Sequence, residues 1–233
     1  MQQLIAALKY LTFWGRLTLR PPEPEAIGGG AVFFPLVGLA LGLLLALLNY
    51  WLAPYIDSEI LSIALIAALI IATGGAHLDG LKQTFDADWA AAAVDSENST
   101  LGSVAIILAI LFKTGAADSM DEKLTLSLLL MPVLGRWALV VFIFGCQHRC
   151  EGAARRTAGN VKAWHLVIAT AGTLALVAYL LGRKGLLISL FVSVFALLIR
   201  SLLYRRHALL NHANFGAVIE LSEALGLILL ASL

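Results

Sequence analysis

A histidine, two carboxylates and an amide follow directly after a strongly apolar stretch, and their types and spacing could support chemistry on a phosphate. They are His77, Asp79, Gln83 and Asp86, and further acidic residues occur at positions 88, 95 and 97. Unpaired carboxylates in hydrocarbon are costly, so these must lie in a polar segment or pair with cations. Such oxygen ligands hold Mg²⁺, usually together with substrate phosphates. A solvated acidic loop is the plainer alternative.

The spacing of the acidic residues predicts which of them act together. Asp79 and Asp86 are seven residues apart, so they share one face if the segment is helical, with Gln83 between them. We therefore predict Asp79, Asp86 and Gln83 as metal ligands, the last through its amide oxygen. His77 is a candidate acid or base because imidazole titrates near neutrality, and a structural role at the helix end is its alternative.

A second group of charges lies in apolar surroundings. Arg136 lies in the middle of an apolar segment, where a cation costs roughly 2.5–3.5 kcal/mol. We expect it to pair with Glu220, with Glu223 or with a bound phosphate, and a purely structural ion pair between helices is the alternative. Lys113 and Arg200 lie nearer the ends of apolar segments, and we expect them to reach the lipid headgroups.

A basic loop at residues 147–156 is a candidate phosphate clamp. It contains Arg149, Arg155 and Arg156 beside Glu151. Guanidinium groups bind phosphate oxygens in a bidentate fork, so three arginines opposite a carboxylate cluster suit a diphosphate. The alternative is the general excess of basic residues in cytoplasmic loops of membrane proteins.

The elements that must position these residues are membrane helices. Of the 233 residues, 60% are hydrophobic and only 13% are charged, whereas soluble domains have about 25% charged residues. We predict an all-α, polytopic transmembrane helical bundle forming one domain over residues 1–233. About seven segments are long enough to span a bilayer: 30–54, 58–76, 101–117, 124–146, 161–181, 185–204 and 217–233.

The N-terminal segment and the distribution of basic residues predict the orientation. Residues 1–20 alternate apolar and basic residues at helical spacing, which indicates an amphipathic helix in the membrane interface and no cleavable signal. With seven spans, ten Lys and Arg residues fall on one side and three on the other. The richer side is expected to be cytoplasmic, and it holds the polar loops 76–98, 147–160 and 205–216. Two cysteines are too few for a closed zinc site.

Five sequence blocks, in order, resemble the cobalamin (5′-phosphate) synthases, the integral-membrane adenosylcobinamide-GDP ribazoletransferases. The first is FFPLVGLALG at 33–42, and the second is GGAHLDGLKQTFDA at 74–87. The remaining blocks are PVLGRWA at 132–138, RCEG at 149–152 and GAVIELSE at 216–223. Five blocks in the family's order are more specific than shared hydrophobicity.

The resemblance implies a function and a set of roles. The reaction would join adenosylcobinamide-GDP to α-ribazole or α-ribazole 5′-phosphate, release GMP and use Mg²⁺, at the cytoplasmic face of a bacterial or archaeal inner membrane. His77, Asp79 and Asp86 would be catalytic, and the substrate-binding residues would be Arg136, Arg149, Glu151, Glu220 and Glu223. The expected partners are these two substrates and the bilayer, with no nucleic acid. A homo-oligomer or contact with other corrinoid-pathway enzymes stays open.

Three positions depart from the family pattern. Gln83 stands where the family pattern has its second aspartate, and Asn98 is the best match for another, with Asp95 as an off-register alternative. Ala213 falls, without gaps, on a third aspartate of the pattern. The loss of these carboxylates leaves a catalytically silent corrinoid-binding or scaffold protein as the alternative function. A transporter is a third hypothesis, which an inverted internal repeat would support, and the sequence shows no repeat.

Overall fold

The regular structure of this protein is helical throughout the part of the chain that is described, which confirms the predicted fold class. The computed structural model describes residues 2–18, 20–90, 100–120, 122–206 and 209–232, with only the backbone at 16 and 88–90. The first helices are α1 (Gln2–Leu11), α2 (Trp14–Leu17), α3 (Pro24–Gly29), α4 (Phe34–Leu52), α5 (Ser58–Thr73) and α6 (Ala76–Ala90). The remainder are α7 (Leu101–Asp118), α8 (Leu124–Ile143), α9 (Gly152–Gly159), α10 (Ala163–Arg206) and α11 (His212–Ala231).

The apolar helices agree in position with the predicted spans. Among the described residues, five helices are long and apolar enough to cross a membrane: α4 with its preceding 3₁₀ turn, α7, α8, α10 and α11. Helices α5 and α6 add a sixth if they count as one broken span, since they meet at 88°. The sequence predicted seven segments, and the difference lies in α5 and in α10.

Helix α10 combines two of the predicted spans. Its 44 residues would extend about 66 Å at 1.5 Å per residue, roughly twice the thickness of the hydrocarbon core. Its backbone is non-helical at Gly182, with φ 59° and ψ −138°. A Cβ at Gly185 would lie 2.8 Å from the carbonyl oxygen of Val177, a contact that requires the chain to reverse at the break. The two arms, 163–181 and 183–206, therefore form a helical hairpin.

Two predictions about polar segments are corrected by the structure. The predicted loop 76–98 is helical from Ala76 to Ala90, because this segment packs its apolar residues Leu78 and Leu81 inside the protein. The predicted N-terminal helix over residues 1–20 is shorter, since α1 ends at Leu11 and a turn precedes α2. Helix α1 also buries Ala7 and Leu11 completely against the bundle, so it is part of the packed core.

Helix α8 lies at the centre of the bundle and packs against α4, α10 and α11. Glycines bring α4 close to it: a Cβ at Gly38 would lie 2.4 Å from the carbonyl oxygen of Pro132. A Cβ at Gly42 would lie 2.1 Å from the carbonyl oxygen of Leu129. Small residues at such crossings allow the close backbone approach on which membrane helix packing depends. The close crossing of α4 and α8 is therefore part of the packed core of the bundle.

Candidate active site

The candidate site forms where α6 crosses α11. Gly74 and Gly75, both with positive φ (64° and 67°), turn the chain from α5 into α6. At the crossing, a Cβ at Gly80 would lie 2.6 Å from the carbonyl oxygen of Ala213 and 3.0 Å from the Cα atom of Gly216. Only a residue without a side chain fits here, and the resulting contact brings the start of α6 against the start of α11.

A polar pocket of about 220 Å³ opens at this crossing. Two of the predicted ligands, Asp79 and Gln83, line it and are exposed, whereas His77 lines it and is 4% exposed. The complete lining is Tyr10, Ala76, His77, Asp79, Gly80, Gln83, His212, Ala213 and Gly216. Three candidates that the sequence placed on one short segment therefore share one pocket with residues from both ends of the chain.

His77 is a buried side chain with unused hydrogen-bonding capacity. Its Nε2 atom has no hydrogen-bond partner among the described residues. A buried, unpartnered ring nitrogen is costly unless a ligand uses it. The position of His77 in the pocket lining makes a bound substrate the natural partner.

Two helix N-termini meet at the pocket. Helix α6 begins at Ala76 and α11 begins at His212, and both residues line the cavity. The N-terminus of a helix carries a partial positive charge that favours anions such as phosphate. Asn211 fixes the start of α11 through a capping box, in which its side chain accepts hydrogen bonds from the N–H groups of Ala213 and Asn214. The pocket thus combines a carboxylate and an amide with the start of α6, whereas N–H groups at the start of α11 already donate to Asn211.

The three predicted metal ligands do not come together. Asp86 lies outside this pocket lining, and its oxygens accept hydrogen bonds from the Lys82 ammonium at 2.5 Å and from the N–H of Gly102 at 2.8 Å. Within the described residues, no group of three or more His, Cys, Asp or Glu side chains could hold a metal ion. Asp79 and Gln83, one turn apart on α6, fit Mg²⁺ only as a partial site whose remaining ligands are phosphate oxygens and water.

A buried ion network lies inside the bundle behind His77. The ammonium of Lys113 contacts both Glu220 and Glu223 at 2.5 Å, and Arg136 pairs with Glu223. All four side chains are at most 5% exposed. Lys113 was predicted to reach the headgroups, and this is wrong because its position on α7 faces α11 and the two carboxylates. The other predicted cation, Arg200, donates to the carbonyl oxygens of Phe142 and Phe144 at the end of α8.

The network decides between two interpretations of Arg136. The sequence left open whether its partner is a glutamate or a bound phosphate, and the structure places Glu223 against it. Arg136, Glu220 and Glu223 are absent from the lining of the pocket. They hold α7, α8 and α11 together, since two cations and two anions share one buried cluster.

The basic loop only partly faces the site. Arg149 donates to the carbonyl oxygen of Tyr204 at 2.9 Å and stacks over its ring, 5.1 Å from the centroid. Glu151 precedes α9, and its N–H donates to the carbonyl oxygen of Leu210. Arg149, Glu151 and Arg155 are absent from the linings of the polar pocket and of a neighbouring cavity, whereas Arg156 lines the neighbouring one. The loop therefore places Arg156 beside the site, whereas the RCEG block had indicated Arg149.

Sequence reasoning missed two aromatic side chains at the pocket. Tyr10 of α1 and His212 of α11 both line it, and their rings lie 5.6 Å apart. Burial raises the pKa of Tyr10, so its hydroxyl stays protonated. Tyr10 was not singled out because it fits the regular apolar–polar pattern of residues 1–20. His212 could have been noticed only because it lies just before the last sequence block.

Two of the three positions at which the resemblance implies a carboxylate fall at this pocket. Gln83 and Ala213 both line it. Asn98, the third, lies outside the described residues. Among the described residues, Asp79 is the carboxylate of the lining.

Comparisons with known proteins agree with the sequence blocks. Residues 3–231 match the family described as cobalamin-5-phosphate synthase. An adenosylcobinamide-GDP ribazoletransferase of Geotalea daltonii is 30% identical over 218 residues, which cover 90% of this chain and 88% of that protein. Proteins of the same name are 29% identical in Alkaliphilus metalliredigens, over 96% of this chain and 92% of theirs, and 31% identical in Stutzerimonas stutzeri, over 99% and 98%. No solved structure matches the chain.

Proposed function

This chain belongs to the cobalamin-5-phosphate synthase family, and from that premise we propose that it joins adenosylcobinamide-GDP to α-ribazole or α-ribazole 5′-phosphate with release of GMP. The name that these relatives share, adenosylcobinamide-GDP ribazoletransferase, supports the activated corrinoid and the ribazole as substrates. The family and the relatives support a membrane transferase of cobalamin synthesis. The identity of the acceptor, α-ribazole or its 5′-phosphate, belongs to the proposal.

The observation that carries the proposal is the polar pocket between α6 and α11. It contains Asp79, Gln83 and the unpartnered Nε2 of His77, and the N-termini of two helices end at it. A transferred phosphoryl group carries negative charge on several oxygens, so catalysis depends on positioning and on nearby positive potential. The pocket has a volume of about 220 Å³, which is enough for a diphosphate. The larger parts of both substrates would lie outside it.

In the proposed reaction, a ribose hydroxyl of the acceptor attacks the phosphorus that is attached to the corrinoid. The bond between this phosphorus and the bridging oxygen breaks, and GMP leaves with that oxygen. His77 Nε2 accepts the hydroxyl proton as a general base, a role that requires the ring to be near the attacking oxygen. The N-terminus of α6 stabilises the charge on the phosphoryl oxygens.

Asp79 and Gln83 would hold Mg²⁺ together with the diphosphate, and the bound ion would neutralise charge on the leaving GMP. Asp86 is assigned a structural role in this proposal, because its carboxylate binds the start of α7. The buried network of Lys113, Arg136, Glu220 and Glu223 positions α11, and through it the pocket, without contacting substrate.

The proposed location of the reaction is the cytoplasmic face of the inner membrane. The three polar segments predicted on one side do meet: residues of α6, α9 and α11 line two adjoining cavities. That side is the one with more Lys and Arg residues, which favours the cytoplasm. The leaving GMP would then be released to the cytoplasm.

The test is a reconstitution assay. Purified protein in lipid nanodiscs is mixed with adenosylcobinamide-GDP, α-ribazole and Mg²⁺, and GMP is measured by chromatography. We expect GMP in amounts equal to the joined corrinoid product, and only with both substrates present. GMP release without an acceptor, or no release with all components, would refute the proposed reaction.

A further inference from the structure

A second and larger cavity adjoins the polar pocket. Its volume is about 490 Å³, and it shares Tyr10, Ala76 and His212 with the polar pocket. Its other walls come from residues 9–27, which run from α1 into α3, and from α9. Because three residues belong to both linings, a molecule in the larger cavity can reach into the pocket that holds His77 and Asp79.

The lining of this cavity has an apolar part and a cationic part. Tyr10, Ile27 and three prolines at positions 21, 22 and 24 form much of the apolar part. Lys9 and Arg156 supply two positive charges, and none of the described residues that line the cavity carries a carboxylate. Arg156 is also 3.4 Å from the carboxylate of Glu25. This is an exposed pair, which contributes little and can open for a stronger anion.

Size and chemistry select among the reactants. Small-molecule sites typically enclose about 300–1,000 Å³, so a cavity of about 490 Å³ suits a nucleoside and is too small for a corrin ring with its side chains. An apolar wall with an aromatic residue suits a flat heteroaromatic base. Two cations suit a phosphate, which guanidinium binds through paired hydrogen bonds.

We propose that this cavity is the acceptor subsite: its apolar wall holds the heteroaromatic base of a nucleoside, and Lys9 and Arg156 hold the phosphate on that nucleoside's 5′ oxygen. The inference rests on the proposed function and deepens it, since it assigns the acceptor to the cleft between the N-terminal segment and α9. The ribose then lies at the boundary formed by Tyr10 and His212, with its hydroxyl toward His77.

The first experiment measures binding and needs no turnover. Purified protein in nanodiscs is titrated calorimetrically with α-ribazole 5′-phosphate and with α-ribazole. Arg156→Met and Lys9→Met each remove one charge-assisted contact, so we expect each to weaken binding of the phosphorylated nucleoside roughly tenfold and to change binding of the unphosphorylated one less than about twofold. The control is Arg155→Met, which removes the neighbouring exposed arginine of α9 that is outside the cavity lining.

The second experiment measures KM for both acceptors and for the activated corrinoid in the same variants. The subsite predicts a higher KM for the phosphorylated acceptor alone. Equal weakening of both acceptors, no weakening, or an equal effect of Arg155→Met would overturn the inference while leaving the proposed reaction intact. If wild type binds the phosphorylated nucleoside with the expected dependence on Arg156 but releases no GMP, the reaction fails and the subsite stands.

Discussion

Gly80 on α6 and Gly216 on α11 face each other where the two helices cross, and at each position the opposite helix occupies the space that a side chain would need. A Cβ at Gly216 would lie 3.2 Å from the Cα atom of Gly80 and 3.2 Å from the carbonyl oxygen of His77. This contact places the pocket residues of α6 beside those of α11. The close crossing at the pocket therefore depends on the absence of a Cβ at both positions.

We predict that Gly80→Ala separates α6 from α11. Its Cβ would lie 2.6 Å from a backbone oxygen of Ala213, and overpacking of this kind costs about 1–3 kcal/mol. A lower thermal unfolding midpoint in detergent and a loss of GMP release should follow. Gly115→Ala is the control, because a Cβ there has nothing within 4 Å and helix propensity favours Ala by roughly 1 kcal/mol. An unchanged midpoint and rate in Gly80→Ala would contradict the close crossing.

The buried network gives a prediction about stability. Lys113→Met should destabilise the protein by about 3–5 kcal/mol, because it leaves the carboxylates of Glu220 and Glu223 with one cation in a dry interior. The double variant Lys113→Met with Glu220→Gln should recover much of that loss, since it removes one charge of each sign. The measurement is urea or thermal unfolding of the purified protein. If the single variant unfolds like wild type and only its KM rises, the network binds substrate instead.

The span positions could be predicted from the sequence, since hydropathy depends on composition over about twenty residues. The sequence also predicted the candidate partners of Arg136, because a buried cation needs a nearby anion and Glu220 and Glu223 are among the few acidic residues in the apolar segments. Lys113 was misassigned because burial is decided by the helix that packs against it. Tyr10 was missed, and Arg156 was not distinguished from its neighbours in the basic loop, for the same reason. Helix packing determines which residues of distant segments come together, and a local sequence pattern contains no information about that packing.

His77 is predicted to act as the general base. His77→Asn keeps a polar side chain of similar size and removes the proton acceptor, so kcat should fall by about 10²–10⁴ while the unfolding midpoint changes little. His148→Asn is the matched control, since His148 is exposed and lies outside the lining of the polar pocket. The rate is measured at saturating concentrations of both substrates. A kcat within about twofold of wild type would remove His77 from the mechanism.

The missing carboxylates lead to a prediction about magnesium. Gln83→Asp and Ala213→Asp each add a negative charge beside Asp79, and Mg²⁺ is bound chiefly through carboxylates and phosphates. The Mg²⁺ concentration that gives half-maximal GMP release should therefore fall by roughly tenfold for a new ligand. Gln147→Asp adds the same charge outside the lining of the polar pocket. An identical shift in this control would mean that the effect is a general one of charge.

The rate of GMP release by Asp79→Asn is the most direct test of the claim that the reaction takes place between α6 and α11. Asparagine keeps the shape of the side chain and removes its charge, so the fold is retained while the pocket loses the carboxylate of its lining. We predict a fall in kcat of at least about 10², with unchanged binding of the acceptor nucleoside. Turnover at the wild-type rate in a correctly folded Asp79→Asn protein would contradict the account and place the chemistry elsewhere.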